Sequence, residues 1–195
     1  MIKVGVTGGI GSGKSTICHF FRTIGIPVFE ADTEAKKLIN NSETIRYQLK
    51  ALFGPEIYLP NQSIDRKKLA SLIFNSPSLL QKVNGVVHPE VRNYFFQWCE
   101  QQTSAYIIHE AAIMFESGFY EMMDYTLLVT APEEMRIQRV IKRENTDAQS
   151  VRARMEKQWT DEQKAALADF IIQNDGTKLV VPQLIELDKK FRTNG

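Results

Sequence analysis

Gly8-Gly9-Ile10-Gly11-Ser12-Gly13-Lys14-Ser15 satisfies G-x-x-x-x-G-K-[ST] at every fixed position. The chemistry of a polyphosphate demands these residue types. Glycines let successive backbone N–H groups turn inward around phosphate oxygens, and a helix opening near Gly13 adds its positive end. Lys14 reaches toward the β- and γ-phosphates, and the Ser15 hydroxyl is a Mg²⁺ ligand. Thr16 adds a hydroxyl near the α-phosphate. The pattern arises by chance in roughly one chain in a hundred of this length. Here it also follows a predicted strand and precedes a predicted helix. A dinucleotide-binding reading fails on spacing: Gly11-Ser12-Gly13 needs a further glycine where Thr16 stands.

Two other groups have the chemistry to use a bound triphosphate. Asp32 closes the second predicted strand, where a carboxylate can orient a hydroxyl nucleophile and accept its proton. The bland role for it is N-cap of the helix starting at Thr33. Residues 136–157 carry a net charge of +4. Arg139 and Arg143, four apart, share a helix face, as in a lid that brings guanidinium groups over transferring phosphates; the bland role is a solvated helix laced with ion pairs. Glu110 ends a predicted strand where an acidic residue holds Mg²⁺ indirectly, and Glu116 competes for that role. His88 is a candidate substrate contact. No zinc pattern is present. Cys18 and Cys99 read as reduced, buried hydrophobes rather than a disulfide.

The elements that position these groups follow from periodicity. Residues 2–7 form a short buried strand, 14–23 a helix stopped by Gly25, and 26 to about 32 a second strand, a βαβ unit within about 30 residues. Residues 33–103 are mostly helical, with helices over 44–53, 65–74, 78–87 and 89–101, the last opened by Pro89. Strands return at 105–108, 125–130 and 170–172. Thr146/Gln149 and Thr160/Gln163 match the capping box, so helices start at both, and a last helix covers about 178–191. This alternation predicts an α/β, doubly wound fold with a five-stranded parallel sheet. Residues 1–32 and 104–195 make its nucleotide-binding core, 33–103 a helical insert and 136–157 a lid.

The 195 residues, 43% hydrophobic and 24% charged, are ordinary globular usage and can bury one core without staples. A net charge of +1 argues against general nucleic-acid coating. No secretory signal or membrane-spanning stretch is visible, so a cytoplasmic protein without a membrane partner is expected. The loop alone does not separate kinases from switches. A GTPase requires D-x-x-G and N-K-x-D; neither string occurs. Phosphoryl transfer to a small acceptor is the leading reading. The alternatives are a nucleoside or nucleotide kinase and, from another class, a nucleotide-dependent switch.

Together the motifs resemble the bacterial dephospho-coenzyme A kinase family, over about residues 3–176. The resemblance is carried by Val6 to Thr16, Glu30-Ala31-Asp32, Asp65-Arg66 followed by Leu69, Ile73 and Phe74, and His88-Pro89. It continues through Ala111 to Glu116, Arg139, Arg143, Gln158, Ala168-Asp169, Ile172 and Asn174. Departures are Glu30 and Glu110 where Asp is commoner, Ala112 for Pro, and Arg136 for Gln. The resemblance implies a P-loop NTPase fold of three layers and transfer of phosphate from ATP, with Mg²⁺, to the ribose 3′-hydroxyl of dephospho-coenzyme A. It assigns catalysis to Asp32, Lys14, Arg139 and Arg143, and the nucleotide to Gly9, Gly11, Ser12, Gly13, Lys14, Ser15, Thr16 and Asn174. It gives the acceptor to Asp32, Asp65, Arg66 and His88, and the metal to Ser15 and, indirectly, Glu110.

Overall fold

The computed structural model describes residues 1–74 and 76–194, and these divide into two compact units: Met1–Glu30 with Gln102–Gly195, and Ala31–Gln101. The first holds five strands, β1 (Ile2–Thr7), β2 (Val28–Glu30), β3 (Tyr106–Glu110), β4 (Tyr125–Thr130) and β5 (Phe170–Gln173). They lie in the order β2-β3-β1-β4-β5, every pair parallel. A sheet covered on both faces needs strands apolar on both sides. Val4, Val6, Tyr106, Ile107, Ile108, Leu127, Leu128 and Val129 are accordingly fully buried. Helix α1 (Lys14–Thr23) seals the sheet with Ile17, Cys18 and Phe21 and stops before Gly25, whose N–H donates to the Arg22 carbonyl.

The second unit is helical: α2 (Ala31–Asn41), α3 (Glu43–Phe53), α4 (Arg66–Phe74) and α5 (Pro77–Glu100). Asp65 caps α4, its carboxylate accepting the Lys68 N–H at 3.0 Å. The expected break at His88-Pro89 is absent: α5 runs unbroken through Pro89. A proline inside a helix forfeits a bond and crowds the carbonyl four residues back. That residue is Gly85, whose Cβ position faces open space. Val83, Val87, Val91 and Phe95, spaced four apart across the proline, bury one continuous stripe, and that burial outweighs the local cost.

The first unit closes with α6 (Glu133–Glu144), α7 (Ala148–Met155), α8 (Asp161–Ala165) and α9 (Val180–Asn194). Thr160 and Gln163 form the expected capping box. At α7 the cap is Asp147, accepting the Ser150 N–H, rather than Thr146. Cys18 is buried and Cys99 half-buried, and neither forms a disulfide. Among the described residues no helix is long and apolar enough to cross a membrane.

Candidate active site

The glycine-rich loop leaves the carboxyl end of β1, the edge at which open α/β sheets bind ligands. Helix α1 begins at Lys14 with no side chain capping its N-terminus, so its first N–H groups stay available to an anion. Lys14 Nζ donates to the Gly8 carbonyl at 2.7 Å. The far side of the loop is held by two residues from elsewhere in the unit. Asn174, just beyond β5, donates from Nδ2 to the Ser12 carbonyl at 2.8 Å. Arg139 on α6 donates to the Gly11, Ser12 and Asn174 carbonyls at 3.4, 3.3 and 2.9 Å. A trans peptide is planar, so drawing the Ser12 carbonyl toward Asn174 turns the Gly13 N–H the opposite way. The fit at Gly13 is tight, since a Cβ there would lie 2.1 Å from Asn174 Nδ2. The buried hydroxyls of Thr7 and Ser12 have no hydrogen-bond partner among the described residues. A helix end without a cap, outward carbonyls and orphaned hydroxyls fit a polyphosphate.

For Mg²⁺, Ser15 is exposed in the first turn of α1. Glu110 pairs in register with Val6, two residues before the loop. One hydroxyl and one nearby carboxylate fit Mg²⁺, which keeps waters and phosphate oxygens as its other ligands. Among the described residues no group of three or more His, Cys, Asp or Glu gathers as a metal cage. Glu30, also in register with Glu110, is ion-paired with Arg22 at 2.5 Å. Burial drives the Cys18 thiol up to about 12, helped by the Glu110 charge, so Cys18 stays a protonated packing group.

Glu116 is withdrawn from competition with Glu110. Its Oε1 lies 3.1 Å from Lys164 Nζ and accepts the Trp159 N–H at 3.0 Å. Lys164, 0% exposed, is a fully buried lysine on a five-residue helix. Removing one member of a buried pair strands the other, at about 3–5 kcal/mol. Lys164→Met is therefore expected to lower the urea-unfolding free energy by about 3 kcal/mol, with the Lys164→Met/Glu116→Met double variant recovering most of it. A single variant as stable as wild type would show the pair to be energetically idle. His109 is stacked between Phe29 and Phe119 at 5.5 and 4.4 Å. Burial pushes its pKa down to about 3, which removes it from acid–base chemistry near neutral pH.

Carboxylates engage most of the arginines of the basic segment. Arg143 is exposed and ion-paired with the neighbouring Glu144, which also takes Arg154 at 2.5 Å. Arg152 pairs with Glu133 and, at 2.5 Å, with Glu134. Of the two arginines expected to serve a lid, Arg139 reaches the loop, and Arg143 is held by the carboxylate next to it. Arg136 is almost buried, and its contacts with the loop went unforeseen.

The remaining candidates belong to the helical unit. Asp32 is the second residue of α2, inside the helix rather than at its N-cap. It is exposed and makes no hydrogen bond or ion pair among the described residues. Arg66 begins α4, and with Lys36 it flanks a slot of about 180 Å³ lined by Ile39, Ile64, Leu69, Ala70 and Ile73. His88 lies mid-helix, half-buried; burial and then Arg92 push its pKa down, favouring a neutral imidazole. Asp65 serves α4 as its cap.

A family model described as dephospho-CoA kinase matches residues 2–179. The chain belongs to the dephospho-CoA kinase family. A dephospho-CoA kinase of Porphyromonas gingivalis is 40% identical over 194 residues, covering 99% of this chain and 96% of its own. One from Bacteroides fragilis is 39% identical, with 95% and 91% covered. The crystal structure of TT1252 from Thermus thermophilus matches with a TM-score of 0.85 at 34% identity, over 99% of this chain and 97% of that one. A dephospho-CoA kinase from Campylobacter jejuni, 23% identical with a TM-score of 0.71 and 98% of each chain covered, shares the fold.

Within this family's fold, sequence reasoning named Arg136 and Gln158 but missed that they hold the backbone of Ile10, one at its carbonyl and one at its N–H. Arg136 donates to its carbonyl, and Gln158 Oε1 accepts its N–H at 3.0 Å. Neither contact leaves a local signal, since the partners are 126 and 148 residues away in sequence.

Proposed function

We propose that this chain transfers the γ-phosphate of ATP to the ribose 3′-hydroxyl of dephospho-coenzyme A, giving coenzyme A and ADP, the final step of coenzyme A synthesis. The observation that carries the reading is a phosphate loop at an uncapped helix start in a chain of the dephospho-CoA kinase family. The acceptor oxygen attacks the γ-phosphorus, its proton passes to the Asp32 carboxylate, and ADP leaves. Phosphoryl transfer is largely positioning and charge stabilisation. In this reading Gly9 to Thr16 cradle the phosphates, while Arg139 and Asn174 keep the loop in shape. Lys14 exchanges the Gly8 carbonyl for phosphate oxygen. Arg143 reaches the transferring group once it leaves Glu144. Mg²⁺, held by Ser15 and indirectly by Glu110, neutralises phosphate charge when bound.

The helical unit supports an anionic acceptor with an apolar arm. Neither Lys36 nor Arg66 enters an ion pair among the described residues, and both border the apolar slot. Asp65 orients Arg66 by capping the helix that Arg66 opens, and His88 contributes a neutral imidazole. The test is mass spectrometry of the product formed from dephospho-coenzyme A, ATP and Mg²⁺. One added phosphate on the acceptor is the expected result. ADP release with a nucleotide acceptor and none with dephospho-coenzyme A overturns the reading in favour of a nucleotide kinase.

A further inference from the structure

Over the first half of the phosphate loop, where the Ser12 N–H donates to the Gly9 carbonyl, one side chain of α6 is closely moulded. Arg136 is 8% exposed. Its Nε donates to the Ile10 carbonyl at 3.0 Å, and one terminal nitrogen donates to Asp161 Oδ2, also at 3.0 Å. The other terminal nitrogen fills the space a side chain at Gly9 would take, 2.0 Å from that Cβ position. The Arg136 backbone carbonyl oxygen lies 2.4 Å from where a Cβ on Gly11 would sit. Ile10 itself packs against Ile137, Val140 and Val151. Thus residues 9, 10 and 11 all lie against Arg136, with Gln158 and the Ser12 N–H adding a bond each at Ile10 and Gly9.

The consequence lies in one peptide plane. The Ile10 carbonyl and the Gly11 N–H share a planar trans peptide and point in opposite directions. While Arg136 holds the carbonyl, the Gly11 N–H faces away from α6 and is available to an anion. Release of the carbonyl lets the peptide rotate, and glycine at position 11 does not resist. Asp161 opens α8, three residues after the Gln158 that accepts the Ile10 N–H, so the same short stretch of chain holds the loop at Ile10 and holds the Arg136 guanidinium.

We propose that Arg136 is a positioning residue that sets the Ile10–Gly11 peptide for nucleotide phosphate, with Asp161 holding its guanidinium in place. The inference rests on the reading of this loop as the ATP site. Affinity for a non-hydrolysable ATP analogue, measured by calorimetry on the full chain with Mg²⁺, tests it beside KM for both substrates. Arg136→Met is expected to weaken analogue binding at least tenfold and raise KM for ATP in parallel, with KM for dephospho-coenzyme A within about twofold of wild type. Arg136→Gln retains an N–H donor for the Ile10 carbonyl but loses the ion pair, and is expected to recover most of the affinity. Asp161→Asn is expected to weaken binding severalfold in the native background and to add nothing to Arg136→Met.

A folded Arg136→Met variant with native affinity overturns the proposal, as does a loss confined to the acceptor KM or an Asp161→Asn effect that adds in full. Should Arg136→Met not fold, Arg136→Gln and Asp161→Asn decide: native affinity in the latter refutes the coupling. Failure of the wild-type chain to bind the analogue refutes the reading of the loop itself, an outcome distinct from wild-type binding that Arg136→Met leaves unchanged.

Discussion

Asp32→Asn is expected to lower kcat by about two to four orders of magnitude, the range over which a positioned general base contributes. Affinity for ATP should stay within about twofold. Asn keeps the size of the side chain and its fit in the first turn of α2, but it accepts no proton from the attacking hydroxyl. Asp32 is exposed and engaged by no partner among the described residues. Capping and ion pairing therefore give little reason for the variant to unfold, and a loss of turnover reports on chemistry. The decisive comparison is single-turnover phosphorylation of dephospho-coenzyme A alongside thermal melting of both proteins. If the variant turns over within tenfold of wild type, Asp32 is only a residue of a helix's first turn.

The second large effect is on nucleotide binding. Gly11→Ala is expected to raise KM for ATP well above tenfold and to lower calorimetric affinity alike. Gly11 has φ 78°, in the left-handed region, where an L-residue costs about 1–2 kcal/mol. More important is what the new methyl group meets. It would lie 2.4 Å from the Arg136 carbonyl oxygen and 3.0 Å from its Cα. Those are backbone atoms in the first turn of α6 and cannot swing aside as a side-chain tip can, so the loop itself must move. Gly25→Ala is the matched control. Gly25 has φ 81° with nothing within 4 Å of its Cβ position. The strain is similar and no steric conflict arises, so a modest loss of stability with native ATP affinity is expected. If both variants bind ATP alike, backbone strain alone explains Gly11, and the close approach of α6 has no functional weight.

The loop, α1 and most of the sheet were legible in the sequence because their determinants are local. The eight-residue motif brings its own turn, helix start and cation. Val4, Val6, Leu127 and Val129 declare buried strands by their spacing, and Thr160 and Gln163 cap α8 across three residues. The Pro89 break was misread because a proline's cost is visible locally, whereas the apolar stripe that offsets it spans both sides and is rewarded only by packing. Thr146 lost its cap role to Asp147 for a smaller reason: adjacent residues compete for one helix start, and geometry chooses the carboxylate.

The basic segment divides along the same line. Its charge of +4 and the shared helix face of Arg139 and Arg143 are read directly from the chain. Which arginine meets the loop depends on carboxylates spread between Glu133 and Asp161, and each of those takes its cation by distance in space.

The sequence alone determined a glycine loop of the nucleotide-binding pattern within a parallel α/β sheet, because a cradle of consecutive backbone N–H groups is encoded by consecutive residues. Tertiary structure decided which groups gather around that loop and which are engaged elsewhere. It assigned Glu116 to Lys164, left Glu110 in register with β1, engaged Arg139 with three carbonyls and moulded Arg136 over Gly9 and Gly11. An ion pair or a peptide orientation is fixed by whichever partner lies within about 3 Å, and partners a hundred or more residues apart meet only when the sheet is assembled.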